Sequence, residues 1–202
     1  MCIRDRLRQL IRGVRDRLSE SQVSQAGQEI RDRVLEFAAD FHTIACYVSV
    51  KKEPPTLELI EALYQQGKRL LVPKLGSRLN RDWAYYAGRD DLANRSPNRP
   101  MEPSGDALDS SALAAVDLVI TPALAVDRQG NRLGQGGGWY DRALPYVKKQ
   151  TPIYALCYTH ELQRELILPT DQYDIPVTGV LTPSCCFKLA GSEFQKSGIL
   201  PT

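Results

Sequence analysis

The opening of the chain has the hydrophobic pattern of two amphipathic helices. Apolar residues recur at helical spacing over residues 7–18, and arginines occupy the other face of that helix. A second apolar stripe with the same period covers residues 23–41, and Ser19 or Ser21 stands where a helix N-cap is expected. The pattern therefore predicts two successive helices before the first strand.

Beyond residue 42 the pattern changes to short apolar runs that are rich in β-branched residues. Such runs are typical of strands buried on both faces. The predicted strands lie at residues 43–50, 70–73, 116–122, 153–158 and 180–181. A short helix is predicted to begin at Thr56 and end at Gly67, and another to extend from about residue 139 to residue 148. This alternation predicts one α/β domain, with a mainly parallel sheet and helices on both faces.

Three stretches fall outside this pattern. Residues 76–109 are rich in proline, asparagine, arginine and aspartate, contain a predicted short strand at residues 83–86, and are expected to form a functional loop. Residues 190–202 lie beyond the last patterned segment and are expected to fray. Residues 1–6 resemble the translated end of a sequencing adaptor, so they are either native or a cloning remnant.

The composition of the chain mainly excludes classes of protein. Of the 202 residues 43% are hydrophobic and 25% are charged, which is close to the average of soluble globular proteins and excludes disordered and fibrous chains. The net charge of +2 is too small to indicate a nucleic-acid partner, and no apolar run approaches the roughly 20 residues of a membrane span. We therefore expect a cytoplasmic monomer without nucleic-acid or membrane partners. The five cysteines and two histidines lack the spacing of a zinc site.

The candidate chemistry lies in a glycine-rich segment at residues 127–142, between a predicted strand and a predicted helix. Clustered glycines and a helix N-terminus allow backbone N–H groups to converge on an anion. The segment is neither a Walker A loop nor a dinucleotide-binding Gly-x-Gly-x-x-Gly, and a flexible glycine turn is the alternative. Arg132 before the glycines and Asp141 after them favour a phosphate site. A guanidinium pairs with phosphate oxygens, and a carboxylate beside phosphates holds Mg2+.

The same segment resembles the signature of the 5-formyltetrahydrofolate cyclo-ligases, also called methenyltetrahydrofolate synthetases. The signature residues are Arg132-Leu133-Gly134-Gln135-Gly136-Gly137-Gly138-Trp139-Tyr140-Asp141-Arg142. Further landmarks follow in the family's order: Leu7-Arg8, residues 49–53 with Thr56, Gly67-Lys68, residues 71–73, Asp174-Ile175-Pro176 and Leu181-Thr182-Pro183-Ser184. The resemblance covers residues 7–187, which is nearly the whole chain.

The resemblance implies a single Rossmann-like three-layer α/β domain over residues 1–202 and an enzyme of the bacterial type. The implied reaction is the ATP- and Mg2+-dependent cyclisation of 5-formyltetrahydrofolate to 5,10-methenyltetrahydrofolate, with release of ADP and phosphate. The formyl oxygen attacks the γ-phosphorus of ATP, N10 closes the ring on the resulting iminium phosphate, and phosphate leaves. Such chemistry requires positioning and charge stabilisation rather than a protein nucleophile.

The resemblance also implies roles for individual residues. Arg132 and Tyr140 are expected to be catalytic, and Asp141 is expected to bind Mg2+. The residues expected to bind ATP are Arg4, Arg8, Arg132, Leu133, Gly134, Gln135, Gly136, Gly137, Gly138, Trp139 and Tyr140. The residues expected to bind the folate are Val48, Glu53, Gln135, Gly136, Gly137, Gly138 and Trp139.

Two positions depart from the family pattern. Arg4 stands where the family often has a lysine that reaches the phosphates, and arginine does not replace a point-charge lysine without effect. Thr178 stands where some members carry a second metal-binding aspartate, so Asp141 is expected to hold Mg2+ with water and phosphate alone. Asp171 and Asp174 lie nearby in sequence, but the sequence does not show that either reaches the metal.

Alternative interpretations stay open on sequence alone. Trp83, Tyr85 and Tyr86 are interpreted as core rather than as folate contacts, and the arginines of the first helix as a solvated face rather than an RNA-binding surface. Glu53 is either a folate contact or a solvated loop acid. The alternative functions are a folate-binding protein without turnover and a sugar-phosphate or CoA-handling enzyme, although the second leaves Asp141 unexplained.

Overall fold

The computed structural model describes residues 2–75, 80–94, 99–190 and 193–196. Its helices are α1 (Ile3–Arg15), α2 (Glu20–Phe37), α3 (Leu57–Gln65) and α4 (Trp139–Ala143). Its strands are β1 (Thr43–Ala45), β2 (Arg69–Leu75), β3 (Arg81–Tyr85), β4 (Leu118–Pro122), β5 (Ala125–Asp127), β6 (Arg132–Leu133), β7 (Ile153–Leu156), β8 (Leu162–Gln163), β9 (Gly179–Leu181), β10 (Cys186–Ala190) and β11 (Glu193–Lys196). In the part of the chain described, no helix combines the length and the apolar character needed to cross a bilayer.

Eight of the strands form one large sheet, in the order β11-β10-β9-β7-β4-β1-β2-β3. The inner strands β9, β7, β4, β1 and β2 are parallel to their neighbours within this group. Antiparallel strands complete both edges, β3 on one side and β10 with β11 on the other. Strands β5, β6 and β8 form a small second sheet. The expected mixed α/β fold with a large, mostly parallel sheet is confirmed.

The two helices predicted before the first strand are present, and the second begins where the sequence indicates. Ser19 caps α2: its Oγ accepts the N–H of Gln22 at 3.2 Å, and the Gln22 side chain accepts the N–H of Ser19 at 2.8 Å. This reciprocal pair satisfies two N–H groups that have no partner inside the helix. The buried face of α2, which includes Ile30 and Val34, packs into the main core together with α3.

Strand β1 is shorter than the predicted strand at residues 43–50 because Thr56 draws the chain away from the ladder. The Thr56 Oγ1 donates to the carbonyl of Tyr47 at 2.7 Å and accepts the N–H of Ser49 at 3.0 Å. The Thr56 N–H donates in turn to the Ser49 Oγ at 3.1 Å. These bonds take the place of ladder bonds and turn the chain toward α3, of which Thr56 is the N-cap.

Helix α4 is also shorter than predicted. It ends at Ala143 and continues as a 3-10 turn at Leu144–Tyr146, whereas the pattern predicts a helix as far as residue 148. Pro145 is the cause, because it has no N–H to bond to the preceding turn. Gly138, with a φ of 63°, stands at the N-cap of α4 in a conformation that other residues rarely adopt.

The C-terminal edge of the sheet was not expected from the sequence. Residues 190–202 are expected to fray, yet Glu193–Lys196 pair with β10 along four register positions. The ring of Phe194 packs against Phe187 at 5.8 Å, and the Arg164 guanidinium lies over both rings. The other residues beyond 190 lie outside the described part of the chain.

Helix α1 is anchored to the sheet by the buried side chain of Arg15. The Arg15 Nε donates to Glu161 Oε1 at 2.6 Å and its Nη2 to Glu161 Oε2 at 2.8 Å. The same Nη2 donates to the carbonyl of Ala123, just after β4, at 2.6 Å. The Arg15 and Glu161 side chains are only 5% and 0% exposed. The expected solvated face of arginines is therefore wrong for Arg15.

We expect Arg15→Ala to lower the free energy of unfolding by about 3–5 kcal/mol, because it leaves the Glu161 carboxylate buried without its partner. Urea denaturation followed by circular dichroism measures this change. Arg17→Ala is the matched control: Arg17 is exposed, lies just after the C-terminal end of α1, and among the described residues donates to the Gly13 carbonyl of that helix, so its effect stays within about 0.5 kcal/mol. Equal effects of the two substitutions would contradict the anchoring role.

Candidate active site

A cleft lies at the carboxyl ends of two neighbouring parallel strands, β1 and β4. The chain runs from β1 to β2 on one side, while β4 pairs with β1 on the other side. Connections that leave adjacent strands in opposite directions open a crevice beyond the strand ends, where α/β proteins commonly bind ligands. Tyr47, Val48 and Glu53 after β1 and Pro122 at the end of β4 line this cleft, whose volume is about 1020 Å³.

The remaining walls come from elements that are distant in sequence. They are α1, the β2–β3 hairpin, the segment at residues 99–102, the glycine-rich loop with the start of α4, and a turn at residues 171–174. The lining residues from these elements are Cys2, Arg4, Asp5, Arg8, Pro73, Leu75, Arg81, Arg99, Pro100, Glu102, Arg132, Gly134, Gln135, Gly136, Gly137, Gly138, Trp139, Tyr140, Asp141, Arg142, Asp171, Tyr173 and Asp174.

The hairpin that leads into the glycine-rich loop is held by the buried carboxylate of Asp127. This carboxylate accepts the N–H groups of Gln129 at 2.8 Å and Asn131 at 3.0 Å, the side-chain amide of Asn131 at 2.8 Å, and the N–H of Leu168 at 2.8 Å. Four donors compensate the loss of hydration of a side chain with no exposed surface. The start of the loop is thereby fixed relative to the small sheet.

Guanidinium groups from two other elements hold the glycine-rich loop by its carbonyl oxygens. Arg8 of α1 donates from Nε to Gly134 O at 2.9 Å, and Arg12 donates from Nη2 to Gln135 O at 2.9 Å. Arg81 of β3 donates from Nη2 to Gly137 O at 2.9 Å. Since three of its carbonyl groups accept from these donors, the contacts favour a defined loop over the alternative of a flexible glycine turn.

Arg132 and Asp141 stand at the two ends of the loop and form an ion pair. Arg132 Nη2 lies 2.7 Å from Asp141 Oδ1, with side-chain exposures of 5% and 30%. The Arg132 Nε is buried and has no hydrogen-bond partner among the described residues. An arginine that retains an unused donor beside a cleft is suited to bind an anionic oxygen.

The chemistry of this donor set fits Mg2+ through a single carboxylate. Asp141 lines the cleft, and in the described residues its Oδ1, but not its Oδ2, carries a hydrogen bond from Arg132. Among those residues no group of three or more histidine, cysteine, aspartate or glutamate side chains is placed to enclose a metal ion. Mg2+ commonly uses one or two carboxylates and completes its shell with phosphate and water, so the lone Asp141 matches it.

Two aromatic residues at the start of α4 bring unpartnered donors to the cleft. The Tyr140 hydroxyl and the Trp139 Nε1 are buried, and neither has a hydrogen-bond partner in the described part of the chain. Burial raises the pKa of Tyr140 well above its ordinary value, so the phenol stays neutral and keeps its proton at neutral pH. A buried polar atom without a partner is costly in the free protein, and a bound ligand would remove that cost.

Glu53 is a buried carboxylate in the wall of the cleft, in contact with the glycine-rich loop. Its Oε2 accepts the N–H of Val50 at 3.1 Å, and its Oε1 accepts from the Gln135 Nε2 at 3.0 Å. Burial raises the pKa of Glu53, and this outweighs the hydrogen bonds and the positive charge of Arg15, which lower it. With only 7% of its surface exposed, Glu53 does not match the alternative of a solvated loop acid.

Arg4 and Thr178, the two positions that depart from the family pattern, have different surroundings in the structure. Arg4 lines the cleft and forms an ion pair with Asp174, with Nη1 2.8 Å from Oδ2. Asp171 also lines the cleft, and its N–H donates to the same Asp174 oxygen at 2.7 Å. Thr178 does not line the cleft: its Oγ1 donates to the carbonyl of Ile153 and accepts the Ile153 N–H, which binds the chain to β7.

The structure brings together nearly all the site residues predicted from the sequence. Of those residues, Leu133 alone does not line the cleft; its side chain is buried in a small cluster with Leu124 and Leu168. Sequence reasoning missed the loop contacts of Arg12 and Arg81. Arg12 lies four residues after Arg8, so the two share one face of α1, and this spacing indicates that both reach the same region. Arg81 lies in the polar stretch, and its partner is not evident from the sequence.

The aromatic residues of the polar stretch are correctly interpreted as core. Trp83 and Tyr86 are 0% and 4% exposed, and Tyr85 packs partly buried against the main core. Trp83 also lies edge-on to Trp139 and Tyr140, with ring centroids 6.5 and 6.1 Å apart. The buried Trp83 ring therefore packs against both of these aromatic residues, which line the cleft.

Comparison with known proteins gives a consistent result. The model of the 5-formyltetrahydrofolate cyclo-ligase family matches residues 2–183. The 5-formyltetrahydrofolate cyclo-ligase of Escherichia coli is 36% identical over 187 residues, which cover 87% of this chain and 97% of that protein. The 5-formyltetrahydrofolate cyclo-ligase of Mycolicibacterium smegmatis is 34% identical over 146 residues, which cover 70% of this chain and 73% of that protein. The NMR structure of Aquifex aeolicus 5,10-methenyltetrahydrofolate synthetase superposes with a TM-score of 0.78 at 25% identity, covering 93% of each chain.

The raised pKa of Glu53 predicts that the stability of the folded protein depends on pH. The folded state holds the Glu53 proton more tightly than the unfolded state, so wild-type stability falls as the pH rises from the ordinary glutamate value through the raised one. We therefore expect Glu53→Gln to be more stable than wild type at pH 8, by a margin that shrinks toward pH 4. Urea denaturation across this range measures it, with exposed Glu36→Gln as the control. A margin that is independent of pH would contradict the assignment.

Proposed function

Because the chain belongs to the 5-formyltetrahydrofolate cyclo-ligase family, we propose that this enzyme converts 5-formyltetrahydrofolate to 5,10-methenyltetrahydrofolate, with ATP and Mg2+ as co-substrate and metal. One observation carries the proposal. Apart from Leu133, the family signature at residues 132–142 lines one cleft at the strand ends together with Val48 and Glu53, the two other predicted substrate contacts. Phosphate-binding and folate-binding groups therefore lie within reach of one bound pair of substrates. For the fold, the parallel inner strands support a Rossmann-like three-layer arrangement.

The triphosphate binds along the glycine-rich loop. Arg132 donates its free Nε–H to a phosphate oxygen, and Arg4 and Arg8 of α1 add positive charge at the same wall. The glycines leave no side chain between the phosphates and the backbone N–H groups. At Gly136, a Cβ atom would also lie only 3.3 Å from Arg8 Cζ. Asp141 would hold Mg2+, which supplies neutralisation of the phosphate charge.

The folate binds on the side of Val48, Glu53 and Trp139. The Glu53 carboxylate accepts hydrogen bonds from the pterin ring, and the Trp139 Nε1–H gains the partner that it lacks in the free protein. The segment from Gln135 to Trp139 contacts both substrates and brings the formyl oxygen against the γ-phosphorus of ATP. Positioning of this kind accounts for a large part of the rate gain in reactions between two bound molecules.

The reaction then proceeds in two displacements. The formyl oxygen attacks the γ-phosphorus, its new bond to phosphorus replaces the bond to ADP, and an N5-iminium phosphate forms. N10 attacks the iminium carbon and loses its proton, and the C–O bond breaks as phosphate leaves with the formyl oxygen. The neutral Tyr140 hydroxyl and the Arg132 guanidinium stabilise the oxygens that gain negative charge.

The proposal is tested by the near-ultraviolet absorbance of the methenyl product. We expect the absorbance to rise when 5-formyltetrahydrofolate and MgATP are both present and to stay flat without either one. A flat trace with saturable folate binding would favour a folate-binding protein without turnover. A flat trace without folate binding would reject the proposed substrate.

We expect Asp141→Asn to lower turnover at fixed MgATP on the order of 100-fold, since metal-site substitutions commonly cost this much. Asparagine keeps an oxygen that accepts from Arg132, so the fold and the melting temperature are expected to stay unchanged. Asp106→Asn, at an exposed residue outside the cleft lining, serves as the control. Wild-type turnover with Asp141→Asn would exclude the metal role.

A further inference from the structure

Arg12 reaches the cleft only through another side chain. It is an exposed residue of α1 and does not itself line the cleft. Its Nε and Nη2 donate to the Gln135 side-chain oxygen Oε1 at 3.0 and 2.8 Å, and the same Nη2 donates to the Gln135 backbone carbonyl at 2.9 Å. This fork fixes both the backbone and the side chain of one residue of the glycine-rich loop.

The fork determines which end of the Gln135 amide faces the cleft. A guanidinium has only donors, so it binds the oxygen of the amide and turns the NH2 group away from itself. The NH2 group then donates to Glu53 Oε1 at 3.0 Å. In the reversed orientation the amide oxygen would face the Glu53 carboxylate and neither contact would form.

We propose that Arg12 is a positioning residue that acts through Gln135 to orient the Glu53 carboxylate for the folate. The inference rests on the proposed function, because Glu53 is the group that accepts from the pterin ring. With Oε1 held by Gln135 and Oε2 held by the Val50 N–H, the plane of the carboxylate is fixed in the wall of the cleft. Its remaining lone pairs therefore have one orientation before the substrate arrives.

The position of Arg12 separates this role from that of the other arginines of α1. Arg15 is buried in the ion pair with Glu161, and Arg8 lines the cleft and donates to Gly134 O. Arg12 alone among these three contacts Gln135 in the described structure. Its loss should thus affect recognition of the folate without removing a phosphate contact.

The test is a set of variants measured for both substrates. We expect Arg12→Met to raise the KM for 5-formyltetrahydrofolate, and its Kd measured by calorimetry without ATP, roughly 10-fold, which corresponds to one charged hydrogen bond. The KM for ATP is expected to rise less than the folate constants, because Arg12 also holds the Gln135 carbonyl in the loop proposed to bind the triphosphate, and the melting temperature is expected to stay within a few degrees of wild type. Arg12→Lys, which also carries only donors, recovers most of the loss. Arg17→Met, at an exposed arginine just after the C-terminal end of α1, is the matched control.

A double-mutant cycle identifies the route of the effect. In a Gln135→Ala background, Arg12→Met is expected to have a much smaller effect on the folate constants, because the side chain that links Arg12 to Glu53 is gone and only the bond to the backbone carbonyl of residue 135 remains. The inference is overturned if Arg12→Met changes neither constant, if it raises the ATP and folate constants equally, or if its effect is the same in both backgrounds. If wild-type protein binds folate without turnover, the proposed reaction is refuted, but the double-mutant cycle can still be measured through the Kd for folate. If wild-type protein does not bind folate, the proposed reaction and the role of Arg12 are both refuted.

Discussion

The ion pair between Arg15 and Glu161 is the contact on which the rest of the site depends. It attaches α1 to the carboxyl ends of β4 and β7, through Ala123 on one side and the Tyr158 N–H on the other. Once α1 is held there, Arg8 and Arg12 of the same helix reach the glycine-rich loop. A charged pair this deeply buried gains little stability over an apolar pair of the same volume, but it permits only one arrangement of its partners. Here that arrangement places α1 in the wall of the cleft.

The cleft itself follows from the order of the strands. Because β2 and β4 flank β1, the connections after β1 and β4 separate and expose the strand ends. The early departure of the chain from β1, which Thr56 causes, then brings Val48 and Glu53 into the opening. Two unrelated features, the strand order and a single threonine, thus place Val48 and Glu53 in the cleft that the glycine-rich loop also lines.

The inner strands and the glycine-rich loop were predictable from the sequence, whereas the C-terminal edge strand and the burial of Arg15 were not, for physical reasons. Apolar runs predicted the inner strands, and the glycines with Arg132 and Asp141 predicted the loop, since these signals are local. The short edge strand Glu193–Lys196 has little hydrophobic pattern and depends on Phe187 in the neighbouring strand. The burial of Arg15 depends on a partner 146 residues away, which the helical periodicity of α1 does not reveal.

The clamps on the glycine-rich loop have a consequence for how the protein acquires its site. The hydrogen bonds from Arg8, Arg12 and Arg81 to the loop join residues that are 126, 123 and 56 positions apart. Contacts of such long range form late, because closing large chain segments costs entropy before the contact repays it. A chain emerging from the ribosome would thus hold Arg8 and Arg12 without their loop partners until the loop has been made. Binding competence would arise in the last step of folding, together with the docking of the first helix.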